Sequence, residues 1–125
     1  MAAPREGLTG LRILVVEDNF LVAEDLRGLL AKRGCDVVGP APRVEQGLNL
    51  VAAGGLDGAV LDINLGNEDC FAIAAALTER SVPFLFLTGY DDSNLVPAEY
   101  RQAPRLSKPV DEARLLSLAR EIFAA

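Results

Sequence analysis

The chain has 125 residues; half are hydrophobic, about a quarter are charged, and the formal net charge is −6. This length suits a single domain with one core, and the acidic balance disfavours nucleic-acid binding, which requires a basic face. The sequence has no histidine, which excludes histidine zinc ligands, histidine-based triads and imidazole acid–base catalysts. Cys35 and Cys70 have no partners at metal-ligand spacing, so we expect reduced core thiols.

The amino-terminal residues 1–10 carry Pro4, Gly7 and Gly10 without any hydrophobic period, which predicts a flexible leader before a folded domain over 11–125. No apolar run approaches the ~20 residues of a membrane span, and no signal peptide precedes the first predicted strand. We therefore expect a cytoplasmic protein.

The domain begins with residues 11–16, a nearly continuous apolar run that is typical of a strand covered on both faces. Asn19 is a suitable cap for the helix that follows. The predicted apolar stripe of this helix comprises Phe20, Leu21, Leu26, Leu29 and Leu30. Further strands are predicted over 35–39, 56–63, 82–87 and 105–107, and helices over 44–53, from about 69 to 80, and after the cap residue Asp111.

The connection over residues 90–104 lacks a convincing apolar stripe, so the fourth helical segment is predicted to be degenerate, with at most one short turn near 97–101. Strands that alternate with helices predict a doubly wound α/β fold with a five-stranded parallel sheet of flavodoxin-like architecture. Ligands of such sheets bind beyond the carboxyl ends of the strands.

Acidic and polar side chains lie at or directly after the ends of four predicted strands: Glu17 and Asp18 at the first, Asp62 at the third, Thr88 at the fourth and Lys108 at the fifth. Two unit charges ~5 Å apart repel by about 3 kcal/mol at an effective dielectric constant of ~20. Three neighbouring carboxylates therefore indicate a cation site. Oxygen-only ligands suit Mg²⁺.

Together these groups predict phosphoryl-transfer chemistry. Mg²⁺ would bridge Asp18, Asp62, the backbone carbonyl of Asn64 and the phosphoryl oxygens. Asp62 would act as the nucleophile and form an acyl phosphate, while Lys108 and the Thr88 hydroxyl would contact phosphoryl oxygens.

The pair Glu17-Asp18, the acceptor Asp62, Thr88 and Lys108-Pro109 resemble, in order and spacing, the receiver domains of bacterial two-component response regulators. The resemblance covers essentially all of 11–125. It implies that Asp62 takes a phosphoryl group from a histidine kinase or phosphotransfer protein, that Glu17 helps to hold Mg²⁺ through water, and that a downstream protein reads the signal. It implies no enzyme activity beyond the domain's own phosphorylation and dephosphorylation, and no nucleic-acid or membrane partner.

The sequence departs from the common receiver pattern at Arg105, where many receivers have an aromatic switch residue. The segment 83–90 resembles the "FAT GUY" group of single-domain receivers from alphaproteobacteria, with Leu87 where that motif has alanine. Residues 97–104 are also similar to that group, which is associated with stress signalling and with kinases of the HWE or a related type. We hypothesise that Tyr90 replaces the missing aromatic switch; the alternative is that Tyr90 only covers the site.

The main alternative function is a phosphorylation-independent binding module on a receiver fold, which predicts no Mg²⁺-dependent modification of Asp62. A small aspartyl phosphatase is disfavoured because no second acid is placed as a general acid, and a flavodoxin-like cofactor carrier because Glu17-Asp18 would repel phosphate. No output domain is expected after residue 125. Docking to a protein, phosphorelay and a phosphate sink remain open as outputs.

Overall fold

The computed structural model describes residues 7–89 and 95–124. Its strands and helices alternate along the chain, as the hydrophobic pattern predicts. The strands are β1 (Arg12–Val16), β2 (Asp36–Ala41), β3 (Gly58–Asp62), β4 (Phe84–Thr88) and β5 (Arg105–Ser107), and the helices are α1 (Phe20–Ala31), α2 (Val44–Ala53), α3 (Phe71–Glu79) and α4 (Glu112–Phe123).

The five strands form one parallel sheet in the order β2-β1-β3-β4-β5, which confirms the predicted fold class. Along the central strands, Val16 lies opposite Leu61 and Asp62 lies opposite Leu87. At the β4–β5 pair, Thr88 lies opposite Ser107. The polar residues at or directly after the ends of β1, β3, β4 and β5 are thereby brought to one edge of the sheet.

Helices cover both faces of the sheet, and each face has its own hydrophobic core. The core under α1 and α4 contains Val60 of β3, whereas the core under α2 and α3 contains the neighbouring residues Ala59 and Leu61. All five residues of β3 are buried, which explains why this strand appears in the sequence as an unbroken apolar run.

Helix α1 begins as predicted, because the Asn19 side chain accepts a hydrogen bond from the Val22 N–H at 3.1 Å. The predicted apolar stripe is wrong at its start: Phe20 and Leu21 are 74% and 76% exposed. Both lie in the first turn, before the helix reaches the core, and the buried residues of the helix are Ala23, Leu26 and Leu30. The structure therefore leaves an exposed apolar pair at the start of α1.

The predicted boundary of the leader is also wrong. Leu8 is fully buried in the core under α1 and α4, its carbonyl accepts from the Cys35 thiol, and the Gly10 N–H donates to Gly34 at 2.8 Å. A single apolar residue has no period to reveal its burial. The folded domain thus begins by Gly7, and residues 1–6 lie outside the described residues.

The described part of the connection from β4 to β5 contains the three-residue 3-10 helix Ala98–Tyr100 and no α-helix. The prediction of a degenerate fourth helix is confirmed in this part. The Tyr100 ring stacks on Phe71 with centroids 5.9 Å apart and meets Phe84 and Phe86 edge-on. One tyrosine thus anchors the connection on the core.

The longest helices in residues 7–89 and 95–124 have 12 residues, and no described helix is long and apolar enough to cross a membrane.

Candidate functional site

Three carboxylates gather at the carboxyl edge of the sheet, as the strand order requires. Glu17 directly follows β1, and its N–H donates to the Ala41 carbonyl at 3.0 Å, which continues the pairing with β2. Glu17 and Asp62 are 2% and 1% exposed, whereas Asp18 is exposed. One oxygen of each acid lies within 4.8 Å of the other two. The structure therefore brings together the three acids that the sequence singled out.

Lys108 is the cation of this cluster. Its Nζ lies 2.7 Å from Glu17 Oε1 and 3.2 Å from Asp62 Oδ2. The backbone positions the residue, because the Lys108 N–H donates to the Thr88 carbonyl at 2.9 Å and so extends the β4–β5 pairing by one step. Burial lowers the pKa of Lys108, but the two carboxylates outweigh burial and raise it overall, so the ammonium stays charged.

The two buried carboxylates compete for one lysine. Burial, together with a hydrogen bond to Glu17 and the Glu17 charge, raises the pKa of Asp62 to about 8. Burial acts in the same direction on Glu17, but hydrogen bonds from Asp62 and Lys108 bring the Glu17 pKa below its ordinary value. In the metal-free protein the pair therefore keeps one proton near neutral pH, and Asp62 holds it.

The residues fit a hard divalent cation. Glu17 Oε1 and Asp62 Oδ2 are buried, and both lie within ion-pair distance of the same ammonium, that of Lys108. Two buried carboxylates that share one positive charge are costly, and a divalent cation relieves that cost. The donors available in the cluster are oxygens, as Mg²⁺ prefers.

The β3–α3 loop closes one side of the site. The Asn64 N–H donates to Asp62 Oδ1 at 3.3 Å, and Asn64 Oδ1 accepts from the Gly66 N–H at 2.9 Å. Asn64 also pairs with Asp69 in an isolated antiparallel bridge. The residue whose carbonyl is a predicted metal ligand is thus part of an ordered turn that follows Asp62 directly.

Arg43, which precedes α2, holds the β3–α3 loop, although no sequence pattern indicates that contact. The Arg43 guanidinium donates to the Leu65 carbonyl at 3.0 Å and to Asn67 Oδ1 at 3.3 Å. No motif surrounds this arginine in the sequence, and only the fold shows that it meets a loop more than 20 positions away.

Thr88 is buried at the end of β4, next to the strand that ends in Asp62. The strand order places it at the predicted edge, whereas the direct contacts in the cluster join Glu17, Asp62 and Lys108. Tyr90 lies outside the described residues, so its predicted switch role stays a hypothesis. Arg105 does not enter the cluster; its Nη2 donates to the carbonyls of Tyr100 and Arg101.

A groove of about 410 Å³ opens beside Lys108, between the start of α1 and the segment that leads to α4. It is lined by Leu21, Val22, Asp25, Lys108, Pro109 and Val110. The exposed Leu21 thus borders a depression that reaches Lys108, the cation of the acidic cluster.

The chain is similar to known proteins in sequence and in fold. A sequence model of the family described as "Response regulator receiver domain" matches residues 13–120. The sensory transduction protein LytT of Bacillus cereus is 32% identical over 109 residues, which are 85% of this chain and 44% of LytT. The transcriptional regulatory protein BtsR of Escherichia coli is 29% identical over 107 residues, 84% of this chain and 45% of BtsR. The chain spans less than half the length of these two relatives.

Among solved structures, SdrG from Sphingomonas melonis Fr1 is similar with a TM-score of 0.75 and 35% sequence identity. The similarity covers 89% of this chain and 95% of the SdrG chain.

Proposed function

Because the chain belongs to the receiver domain family of response regulators, we propose that Asp62 accepts a phosphoryl group from the phosphohistidine of a histidine kinase or phosphotransfer protein. A carboxylate oxygen of Asp62 forms the bond to phosphorus as the P–N bond of the phosphohistidine breaks. The electron pair of the broken bond stays on the imidazole. The product is an aspartyl phosphate on β3.

The observation that carries this proposal is the environment of Asp62. Its carboxyl group is buried at the end of the central strand, 3.2 Å from a lysine ammonium and within 4.8 Å of two further acids. A solvated aspartate at a strand end has no need for such surroundings. A nucleophile that must meet a highly charged phosphoryl group needs cations around it more than it needs acid–base groups.

Each neighbour has a distinct part in the proposed reaction. Lys108 leaves its ion pair with Asp62 to contact a phosphoryl oxygen, and the Thr88 hydroxyl donates to another. Asp62 must lose its proton before it attacks, because only the carboxylate is nucleophilic. Mg²⁺ held by Asp18, Asp62, the Asn64 carbonyl and, through water, Glu17 would favour the ionised carboxylate and neutralise phosphoryl charge.

The proposal extends to a stand-alone receiver that signals by docking to a partner protein or by phosphorelay, within the "FAT GUY" group and with a kinase of HWE or related type as donor. The motif at 83–90 and the irregular connection before β5 support this extension. The similarity to SdrG over 95% of that chain also supports it.

Arg105 favours a second candidate, a receiver fold that binds its partner without phosphorylation. The Arg105 guanidinium donates to the carbonyls of Tyr100 and Arg101. Many receivers have a movable aromatic ring at the position of Arg105. This alternative predicts that partner binding is the same for Asp62→Asn as for the wild type, with or without a phosphodonor.

Incubation with Mg²⁺ and acetyl phosphate, followed by intact mass measurement, tests the proposal, with Asp62→Asn as the control. We expect a phosphate-sized mass increment for the wild type only. No increment should form when EDTA is present during the incubation. If neither acetyl phosphate nor any purified histidine kinase modifies the wild-type protein, the proposed function is wrong.

A further inference from the structure

We propose that Arg43 is a positioning residue for the Mg²⁺ site: its guanidinium fixes the 64–69 loop, and with it the Asn64 carbonyl, against the acidic cluster. The inference deepens the proposed function and rests on it, because it assumes that this loop supplies a metal ligand. Arg43 itself touches neither the acids nor the phosphoryl group in the proposed reaction. It acts through the loop.

The contacts of Arg43 converge on the loop from outside. Its Nη1 donates to the Leu65 carbonyl at 3.0 Å and to the Asn67 side-chain oxygen at 3.3 Å, and it lies 3.7 Å from Glu68 Oε1. A single nitrogen of Arg43 thus contacts oxygen atoms of three residues in one short loop. Ion pairs of exposed side chains hold little by themselves, but here two hydrogen bonds to defined loop atoms accompany the ion pair.

The same loop is anchored to Asp62 from inside. The Asn64 N–H donates to Asp62 Oδ1 at 3.3 Å, and the Leu65 N–H donates to the Glu68 carbonyl at 2.9 Å. The carbonyl that Arg43 binds belongs to Leu65, the residue directly after Asn64. A shift of Leu65 therefore moves the peptide that carries the predicted metal ligand.

Gly66 shows that the loop lies close to both Arg43 and the exposed acid Asp18. Its φ is +85°, a conformation that favours glycine, and a Cβ at this position would lie 3.6 Å from Arg43 Nη1 and 3.8 Å from Asp18 Oδ2. The guanidinium and the exposed acid of the cluster thus both lie next to the Gly66 backbone. Removal of the guanidinium would take away one of these neighbours of the loop.

The sign of the effect separates positioning from simple electrostatics. Arg43 carries a positive charge near a cation site, so its charge alone repels Mg²⁺, and removal of that charge should strengthen Mg²⁺ binding. Loss of loop positioning should weaken Mg²⁺ binding instead. Groups that orient metal ligands from behind typically change metal affinity by about 10- to 100-fold. For an arginine one residue removed from the ligand we expect about tenfold weaker binding, at the low end of that range.

Arg12 offers a matched control at the other end of the sheet. Its Nη1 donates to the Gly54 carbonyl at 3.2 Å and its Nε pairs with Asp36 at 3.4 Å, so it too ties a loop carbonyl and an acid to the fold. The two arginine side chains are similarly exposed, 43% for Arg12 and 51% for Arg43. Arg12→Ala removes equivalent contacts without touching the metal loop.

The experiment measures the Mg²⁺ dissociation constant by isothermal titration calorimetry for the wild type, Arg43→Ala and Arg12→Ala. We expect about tenfold weaker binding for Arg43→Ala alone. With acetyl phosphate as donor, the Mg²⁺ concentration for half-maximal phosphorylation should rise by a similar factor, while the rate at saturating Mg²⁺ should change little.

Unchanged or tighter Mg²⁺ binding by Arg43→Ala would overturn the inference, and so would an equal loss in Arg12→Ala. If Arg43→Ala does not fold, Arg43→Gln keeps the aliphatic stem, and the same comparison applies to it. A wild type that neither binds Mg²⁺ nor becomes phosphorylated would instead overturn the proposed function, so the two failures are distinguishable.

Discussion

At the residue scale, Glu17 and Asp62 form an electrostatically strained pair. Both carboxyl groups are buried, and they share one ammonium, that of Lys108. Two negative charges about 4 Å apart repel by about 4 kcal/mol at an effective dielectric constant of 20, and one lysine offsets only part of this. A divalent cation that binds the two carboxylates should therefore displace the proton that the pair retains.

The raised pKa of Asp62 predicts a specific dependence of stability on pH. Its folded-state pKa of about 8 lies above its ordinary value of 3.8. The stabilising contribution of the protonated group is therefore complete below about pH 4 and is lost as pH rises through about 8. In EDTA, the stability of Asp62→Asn relative to the wild type should increase by on the order of 4 kcal/mol between pH 5 and 9, because the wild type loses about 1.4 kcal/mol for each pH unit up to pH 8. The lowered pKa of Glu17 acts below pH 5 and does not interfere.

Urea denaturation of both proteins at pH 5, 7 and 9 measures this difference. Saturating Mg²⁺ should remove most of this pH-dependent increase in the stability difference, because the cation takes the place of the proton in the wild type. A stability gap that stays constant from pH 5 to pH 9 in EDTA would contradict the assignment of the shared proton to Asp62.

At the scale of elements, the first turn of α1 is unusual because its two large apolar side chains are exposed. Phe20 and Leu21 are exposed side by side, and Leu21 lines the groove beside Lys108. Exposed large apolar residues next to a reactive group indicate contact with a partner. We infer that the phosphodonor protein docks on this turn, because the donor histidine must come to Asp62 from the same side.

The double variant Phe20→Ala, Leu21→Ala separates docking from chemistry. We expect phosphotransfer from the cognate kinase to slow by about tenfold at limiting kinase concentration, because one buried apolar anchor contributes about 1–2 kcal/mol to an interface. Phosphorylation by acetyl phosphate, which needs no docking surface, should keep the wild-type rate. Stability should change by less than ~0.5 kcal/mol per exposed residue. Equal slowing with both donors would refute the docking role.

The β4–β5 connection is the second unusual element. Tyr100 packs on the aromatic cluster, and the Arg105 guanidinium donates to the Tyr100 carbonyl at 3.3 Å and the Arg101 carbonyl at 2.8 Å. The arginine thus satisfies carbonyls at the end of a short 3-10 helix. It stabilises this connection from the first residue of β5.

Arg105→Ala should loosen this segment locally. Loss of the two hydrogen bonds should cost about 1 kcal/mol and speed hydrogen exchange at the amides of Tyr100 and Ala103, which bond to Pro97 and Tyr100. Amides of β3 should exchange at the wild-type rate after correction for global stability. Arg101→Ala, which removes an exposed side chain of the same segment, is the control. Equal exchange in both variants would show that Arg105 does not hold the connection.

At the scale of the whole molecule, the parts predictable from sequence are those that periodicity and strand ends encode. Continuous apolar runs specify buried parallel strands, and parallel strands bring their carboxyl ends to one edge. The convergence of Glu17, Asp18, Asp62 and Lys108 follows from these two facts. Asn19 and Asp111 were recognisable as caps because capping is a local property.

The features that escaped prediction depend on distant contacts. Leu8 lies within the predicted flexible leader, and its burial depends on contacts with α1 and α4. Phe20 continues the helical period of α1, yet it lies before the core begins. Arg43 meets its loop only through the fold. None of these outcomes is encoded within a window of neighbouring residues, so sequence patterns could not reveal them.

The most direct test of the proposed phosphorylation of Asp62 locates the phosphoryl group itself. The protein is phosphorylated with Mg²⁺ and a phosphodonor, reduced with borohydride, which converts aspartyl phosphate to homoserine, and mapped by peptide mass spectrometry. We expect homoserine at position 62 in the wild type, and none when EDTA replaces Mg²⁺. Homoserine at position 18 instead, or an unmodified Asp62 after treatment with every available donor, would contradict this proposal.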